Sequence, residues 1–166
     1  MNSILDNKIF VLILGVSNVI IGTEAGNDLT GGSNNIVLGV QALDADTNGC
    51  RSIAIGASAL GLQNSSTVAN MYNVAVGNSA GTAVTTGIRN SLFGSEAGDA
   101  LTVGADNTAI GALALSADTQ GSRSTAIGRG ALKTQNFTSA TNSDNTAVGH
   151  SAGEFLTTGT TNTFVG

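Results

Sequence analysis

Along the chain, apolar and polar positions fall into one recurring five-residue phrase: a small polar residue, two further residues, an aliphatic residue or Phe, and a closing Gly. It reads NVIIG at 18–22, NIVLG at 35–39, SIAIG at 52–56, NVAVG at 73–77 and NSLFG at 90–94. It continues as NTAIG at 107–111, STAIG at 124–128, NTAVG at 145–149 and NTFVG at 162–166. A strand turns successive side chains to opposite faces, so each phrase predicts one short strand. The closing glycines, from Gly22 to Gly166, are spaced 17, 17, 21, 17, 17, 17, 21 and 17 residues apart.

The spacing holds a second period. Four units make 72 residues, and residues 22–93 match residues 94–165 at 36 of 72 positions. Three residues after each closing Gly from Gly22 to Gly149 comes Ala followed by Gly or Leu, as at Ala97-Gly98 and Ala114-Leu115. A stretch rich in Thr, Asn, Asp and Gly then follows, a composition that favours turns. Units of 17 residues with two short apolar phrases fit one coil of a β-solenoid and are too short for a helical repeat. The expected fold is therefore all-β: a β-solenoid or β-roll of about nine coils, roughly 43 Å long at about 4.8 Å per coil. The expected organisation is an N-terminal lead-in over 1–17 and a repeat domain over 18–166, in blocks 22–93 and 94–165.

Alternation also divides each strand into two faces. In NTAIG, Thr108 and Ile110 share one face, and Asn107, Ala109 and Gly111 share the other. The apolar bulk of Ile110 assigns it to the core. The flat Ala and Gly face is then left for close packing against a second copy of the chain. The leading Asn or Ser of each unit is expected to stack in a hydrogen-bonded ladder along the axis. A rod this thin buries little apolar area, which favours a symmetric oligomer.

The two 21-residue units place their extra residues near 64–72 and 136–144, four coils apart on one face. Insertions in solenoids map to loops and often to the binding face. Asn64, Met71, Tyr72, Asn136, Phe137 and Asp144 are therefore the candidate partner-contact residues. At the N-terminus, Ile9, Phe10, Val11, Leu12, Ile13 and Leu14 form an apolar run too short to span a bilayer. Asp6 beside Lys8 and the lack of a small-x-small cleavage site argue against a signal peptide. This run is the candidate docking strand.

Composition narrows the functional classes. The chain has 166 residues, of which 23 are Gly and none Pro; Thr, Ser and Asn together supply 53. Charged residues are 10% and the net charge is −5. With six Lys and Arg in all, a nucleic-acid backbone or an anionic membrane surface is not an expected partner. Cys50 is the only cysteine and His150 the only histidine. No His/Cys spacing suits a metal. Equivalent carboxylates such as Glu24 and Glu96, or Asp46 and Asp118, lie four coils apart. That separation far exceeds the ~5–9.5 Å of a paired catalytic site. No enzyme activity and no cofactor are expected. The sequon-like triplets at Asn64 and Asn136 are what a chain of this composition produces by itself, the Asp-rich calcium β-roll repeat is absent, and the Thr pairs near 85, 157 and 160 do not make a regular ice-binding array.

The phrases NTAIGxLAL, STAIGxGAL and NTAVGxSAG, with the spacer LTTGTTN, resemble two families over residues 18–166. One is the repeat region of bacteriophage tail fibres and tailspikes. The other is the head domain of trimeric autotransporter adhesins. Both resemblances imply a homotrimer of solenoid chains on a surface fibre, with contacts to other fibre proteins and to a host-surface glycan. The adhesin plan adds a signal peptide, a coiled-coil stalk and an anchor that are not legible here. The leading expectation is therefore a structural virion protein of a phage (fibre, spike or head decoration), located on the virion surface. An adhesin head on the bacterial surface and a self-assembling extracellular filament subunit are the alternatives. No functional residue carries over from either family.

Overall fold

Each phrase forms the strand its alternation predicts. The computed structural model describes residues 15–166; the docking run 9–14 lies outside the described residues. Nine three-residue strands, β1 (Val19–Ile21), β2 (Ile36–Leu38), β4 (Ile53–Ile55), β6 (Val74–Val76), β7 (Ser91–Phe93), β8 (Thr108–Ile110), β10 (Thr125–Ile127), β12 (Thr146–Val148) and β13 (Thr163–Val165), pair in that order as one parallel sheet. The register sets equivalent phrase positions side by side, as with Thr108, Thr125 and Thr146. The described residues contain no helix, and the chain is a β-solenoid of about nine parallel coils.

The extra residues of the two long units add short ladders of their own. Here β3 (Gly49–Cys50) pairs with β5 (Ala69–Asn70), and β9 (Gly121–Ser122) with β11 (Thr141–Asn142).

Inside and outside are the reverse of the expectation from bulk. Ala109 is fully buried, whereas Ile110 is 41% exposed. The same parity holds along the sheet, where Val37, Ala54, Ala75, Leu92, Ala126 and Ala147 all point inward. The leading Asn fixes this parity. Asn107 donates from Nδ2 to the Gly121 carbonyl at 2.9 Å, closing its own coil. Its Oδ1 accepts from the backbone N–H of Ser124 at 2.9 Å, tying in the next coil. Asn90 and Asn35 repeat the pattern. An amide is costly to bury unless its bonds are made, so the one residue that can close the coil must turn inward. With Asn107 inward, Ala109 is inward and Ile110 outward. The expected ladder is therefore present, and it is what overrides side-chain size.

In several coils the narrow interior is filled by exchange of volume between the strand and the Ala-Leu or Ala-Gly pair. Where the strand supplies Ala109 or Ala126, the turn supplies Leu115 or Leu132, all four fully buried. Where the strand supplies Leu92, the turn supplies Gly98. A Cβ at Gly98 would stand 2.9 Å from a Leu92 methyl.

In the two long coils Ser52 and Ser124 are too short for the closing task, and a glutamine takes it over. Gln135 accepts from Asn145 Nδ2 at 2.8 Å and donates to Asp118 Oδ2 at 2.6 Å and Ser124 Oγ at 2.8 Å. The buried Asp118 also accepts from the N–H groups of Gly121 and Phe137. Gln63, Asp46, Asn73 and Ser52 build the same network in the first block. Spacer threonines, unassigned in the sequence reading, form a further ladder: Thr30, Thr85 and Thr102 each donate from Oγ1 to the backbone carbonyl of the corresponding Thr one coil on.

Candidate functional site: the outward face of the long sheet

Outward parity places two rows of side chains on the solvent face of the nine-stranded sheet. The row nearer each closing Gly is apolar throughout: Ile21, Leu38, Ile55, Val76, Phe93, Ile110, Ile127, Val148 and Val165. The other row changes character halfway. Val19, Ile36, Ile53 and Val74 are aliphatic, whereas Ser91, Thr108, Thr125, Thr146 and Thr163 carry hydroxyls. Ile21 is 59% exposed and Val19 53%, and Ile36, Leu38, Phe93 and Val148 are all at least 40% exposed. At roughly 50 Å² each, the thirteen apolar side chains present on the order of 650 Å², at the upper end of the ~300–600 Å² of the largest apolar patch on a typical monomer. The five hydroxyl-bearing ones bring the face to about 900 Å², near one partner's share of a standard interface.

Two edges flank this face. The residue before each leading Asn or Ser takes a left-handed backbone, giving the column Ser17, Asn34, Arg51, Tyr72, Arg89, Asp106, Arg123, Asp144 and Thr161. Arg51 lies 5.7 Å from the centroid of the Tyr72 ring and donates to its hydroxyl at 3.2 Å. Arg89 makes a two-pronged ion pair with Asp106. The hydrogen bond from Arg89 holds the Asp106 carboxyl below its usual range, partly opposed by burial and helped by the charges of Arg89 and Arg123. The opposite edge follows the closing Gly and carries Glu24 and Glu96, with Arg129 and His150 further along. Behind it, burial pushes the carboxyls of Asp44 and Asp99 up, assisted by Asp28 and Glu24 for the first and by Glu96 for the second. One oxygen of each is buried without a hydrogen-bond partner.

The loop residues separate on burial. Met71 and Phe137 are buried, which removes them from any contact surface of the chain. They are the apolar anchors of the long turns, and Phe137 donates its backbone N–H to Asp118. Tyr72, Asn64 and Asp144 are exposed and Asn136 is half-buried. The Asn64 and Asn136 side chains accept from Thr47 and Thr119 respectively. Sequence reasoning missed the outward face because it sent the larger side chains inward. The signal that finds it is the leading Asn, which shares a face with Ala.

Among the described residues no group of three or more His, Cys, Asp or Glu is placed to hold a metal. His150 is exposed, and Cys50 is buried, accepting from the Ser33 N–H at 3.3 Å. No helix among the described residues is long and apolar enough to cross a membrane. Comparison of the chain with protein-family models, with curated proteins and with solved structures finds no match.

Proposed function

We propose that the chain is a structural component of a bacteriophage fibre, spike or head decoration, that it works as a homotrimer, and that the outward face of the long sheet is turned to the trimer axis. The observation that carries this reading is the exposed aliphatic face, which runs the length of the sheet on a rod whose interior holds mostly Ala and Leu. A surface of that size and regularity is unfavourable in water. Its most regular complement is the same ladder on another copy, with the same spacing between coils. The likeness of the NTAIG phrases to fibre repeats supports three chains and a virion location. In this reading residues 9–14 attach the fibre to another virion protein. The exposed Asn64, Tyr72 and Asp144 are the loop residues left to meet a host-surface glycan.

Sedimentation equilibrium of the wild-type chain beside Ile110→Asp and Ile55→Asp tests the assembly. The expected result is a mass of three chains for wild type and one for both variants, with circular dichroism unchanged because both side chains point outward. A monomeric wild type, or variants that keep the trimer mass, overturns the reading of the face. Detection of the chain among the proteins of purified virions tests the location.

A further inference from the structure

Of the chain's 17 asparagines, only Asn48 is followed by glycine. An Asn-Gly step is open to ring closure, because the glycine has no Cβ to obstruct the approach of its nitrogen to the asparagine side chain. The Gly49 nitrogen attacks Asn48 Cγ, a C–N bond forms as the bond to Nδ2 breaks, and ammonia leaves with the proton that the nitrogen gave up. Water then opens the cyclic imide at either carbonyl. One product is aspartate. The other is isoaspartate, whose main chain runs through the side-chain carbons and is one methylene longer. Water is the only reagent, and the step waits on loss of the Gly49 amide proton to hydroxide.

The coil holds both reacting groups. Gly49 is buried and donates its N–H to Asp46 Oδ1 at 2.9 Å, and the same oxygen accepts from the Asn48 N–H at 3.3 Å. To reach that proton hydroxide must displace a bond to a carboxylate and leave a second negative charge beside it. The Gly49 carbonyl is tied by Asn35 Nδ2 at 2.9 Å. The half-buried Asn48 amide is pinned as well. Its Nδ2 donates to Thr47 Oγ1 at 3.0 Å and to the Ser65 carbonyl at 3.4 Å. Its Oδ1 fills the space left by the missing side chain of Gly31, where a Cβ would stand 2.5 Å away. The loop of the long coil keeps this arrangement closed, through the Ser65 N–H on Asp46 Oδ1 at 3.1 Å and through Val68, which covers Gly31. The second block builds the same network around Asp118 and Gly121 but carries Gln120 before the glycine. Closure there would make a six-membered ring, which forms far more slowly.

We infer that Asn48 is a deamidation site gated by its coil: it is shut while Gly49 is bonded to Asp46, and it reacts only when this turn parts from the loop that covers it. The reaction is one-way. The product loses the Nδ2 donor to Thr47 and Ser65 and sets a second carboxylate beside Asp46. Isoaspartate also lengthens the chain where Gly49 and Cys50 must keep register with Ala69 and Asn70. An opening that would otherwise heal is thereby recorded, and the first long coil becomes the point at which the rod ages. The inference stands on one coil and does not depend on what the chain assembles into.

Peptide mass spectrometry of the purified chain, held at mildly alkaline pH and sampled over time, tests this beside hydrogen exchange at the Gly49 amide. Conversion at Asn48 is expected to be at least about a hundredfold slower in the folded chain than in the urea-unfolded chain, and to follow Gly49 exchange as temperature changes. Folded conversion as fast as unfolded, or conversion that does not follow Gly49 exchange, overturns the gating. Asp46→Asn keeps an acceptor for Gly49 but removes the charge, and should speed conversion of the folded chain about tenfold, the difference between a charged and a neutral acceptor. An unchanged rate shows that Asp46 is not the guard. Because that variant can loosen the whole coil, Gln120→Asn is the second arm, placing the same dipeptide in the intact network of Asp118. It is expected to be protected in the folded chain to within about tenfold of Asn48 and to deamidate freely in urea. Free deamidation in the folded variant overturns the inference. The converted wild-type chain, separated by its added negative charge, should lose at least about tenfold in exchange protection at Gly49. Unchanged protection overturns the one-way step.

Discussion

Gly94→Ala is the sharpest test of how the coils stack. Gly94 has φ of +133°, a region that residues with a Cβ rarely adopt. A Cβ built there would lie 2.6 Å from the carbonyl carbon and 2.7 Å from the carbonyl oxygen of Gly111, one coil on. The backbone conformation alone costs roughly 1–3 kcal/mol. Relieving the clash means moving β7 away from β8, which strains bonds such as that from the Gly111 N–H to the Phe93 carbonyl at 2.7 Å. Each such bond is worth about 1 kcal/mol net. Loss of unfolded-chain entropy returns ~0.4–1 kcal/mol. The expected net destabilisation is about 3–5 kcal/mol. Gly130→Ala is the control. Gly130 also has positive φ, at +68°, but the nearest atom to its Cβ is Ser151 Oγ at 3.5 Å, an ordinary contact. Ser58, Ser79 and Ser151 occupy the same slot in other coils with similar φ, so this change should cost no more than about 1 kcal/mol. Urea unfolding followed by circular dichroism at fixed chain concentration gives the comparison. Hydrogen exchange at Gly94 and Gly111 shows whether the damage is local, as expected when coils touch only their neighbours. Equal destabilisation by the two variants would refute the close-approach argument.

Two further outcomes follow from the buried and exposed polar networks. Gln135→Leu strips a hydrogen bond from the buried Asp118 oxygen and from Asn145 Nδ2 at once, and should lower stability by about 3 kcal/mol or more in urea unfolding; a loss under ~1 kcal/mol would show that the closing role of the glutamine is misassigned. Arg89→Ala should lower the melting temperature slightly at pH 7 and not at pH 2. The Asp106 carboxyl is held below its usual range by Arg89, so its contribution is present above the unfolded value near ~4 and disappears as pH falls through the lower folded value; because the pair is exposed, the effect is small, and a difference that persists at pH 2 would count against it.

The repeat, the strands, the two long coils and the Asn ladder were legible because a solenoid writes its period directly into the chain. The direction of the side chains was not. Alternation identifies two faces without saying which is inside, and bulk favoured Ile110. The decision belongs to Asn107, whose amide bonds Gly121 and Ser124 together. The loop residues were half legible for a related reason. Met71 and Phe137 are the bulky members of the insertions, and in a chain with so little interior volume bulky loop residues are drawn in as anchors. The edge charges were beyond reading from the chain alone. Each coil carries two of them at most, and Arg51, Arg89 and Arg123 become a column only when coils stack in register.

Interior and exterior of this rod obey opposite rules for one reason. The coil is closed by a side-chain amide and sealed by an Ala on the same face, so each strand has room for little more than a methyl group inside. Leucine is admitted inward at β7, where the turn gives up volume and Leu92 packs against Gly98. Apolar burial within one chain is thereby capped by geometry rather than by composition, although 41% of the residues are hydrophobic. The remainder of that apolar surface can be removed from water only by another molecule. It is arranged in one row that is apolar along the whole sheet and a second that is aliphatic over its first four strands, both at the repeat of the sheet. A flexible or irregular partner would match such a surface at few points, whereas another copy matches it at every coil. In the proposed reading the same parity that makes the interior thin makes the exterior adhesive, and folding and assembly draw on a single feature of the repeat, the inward asparagine.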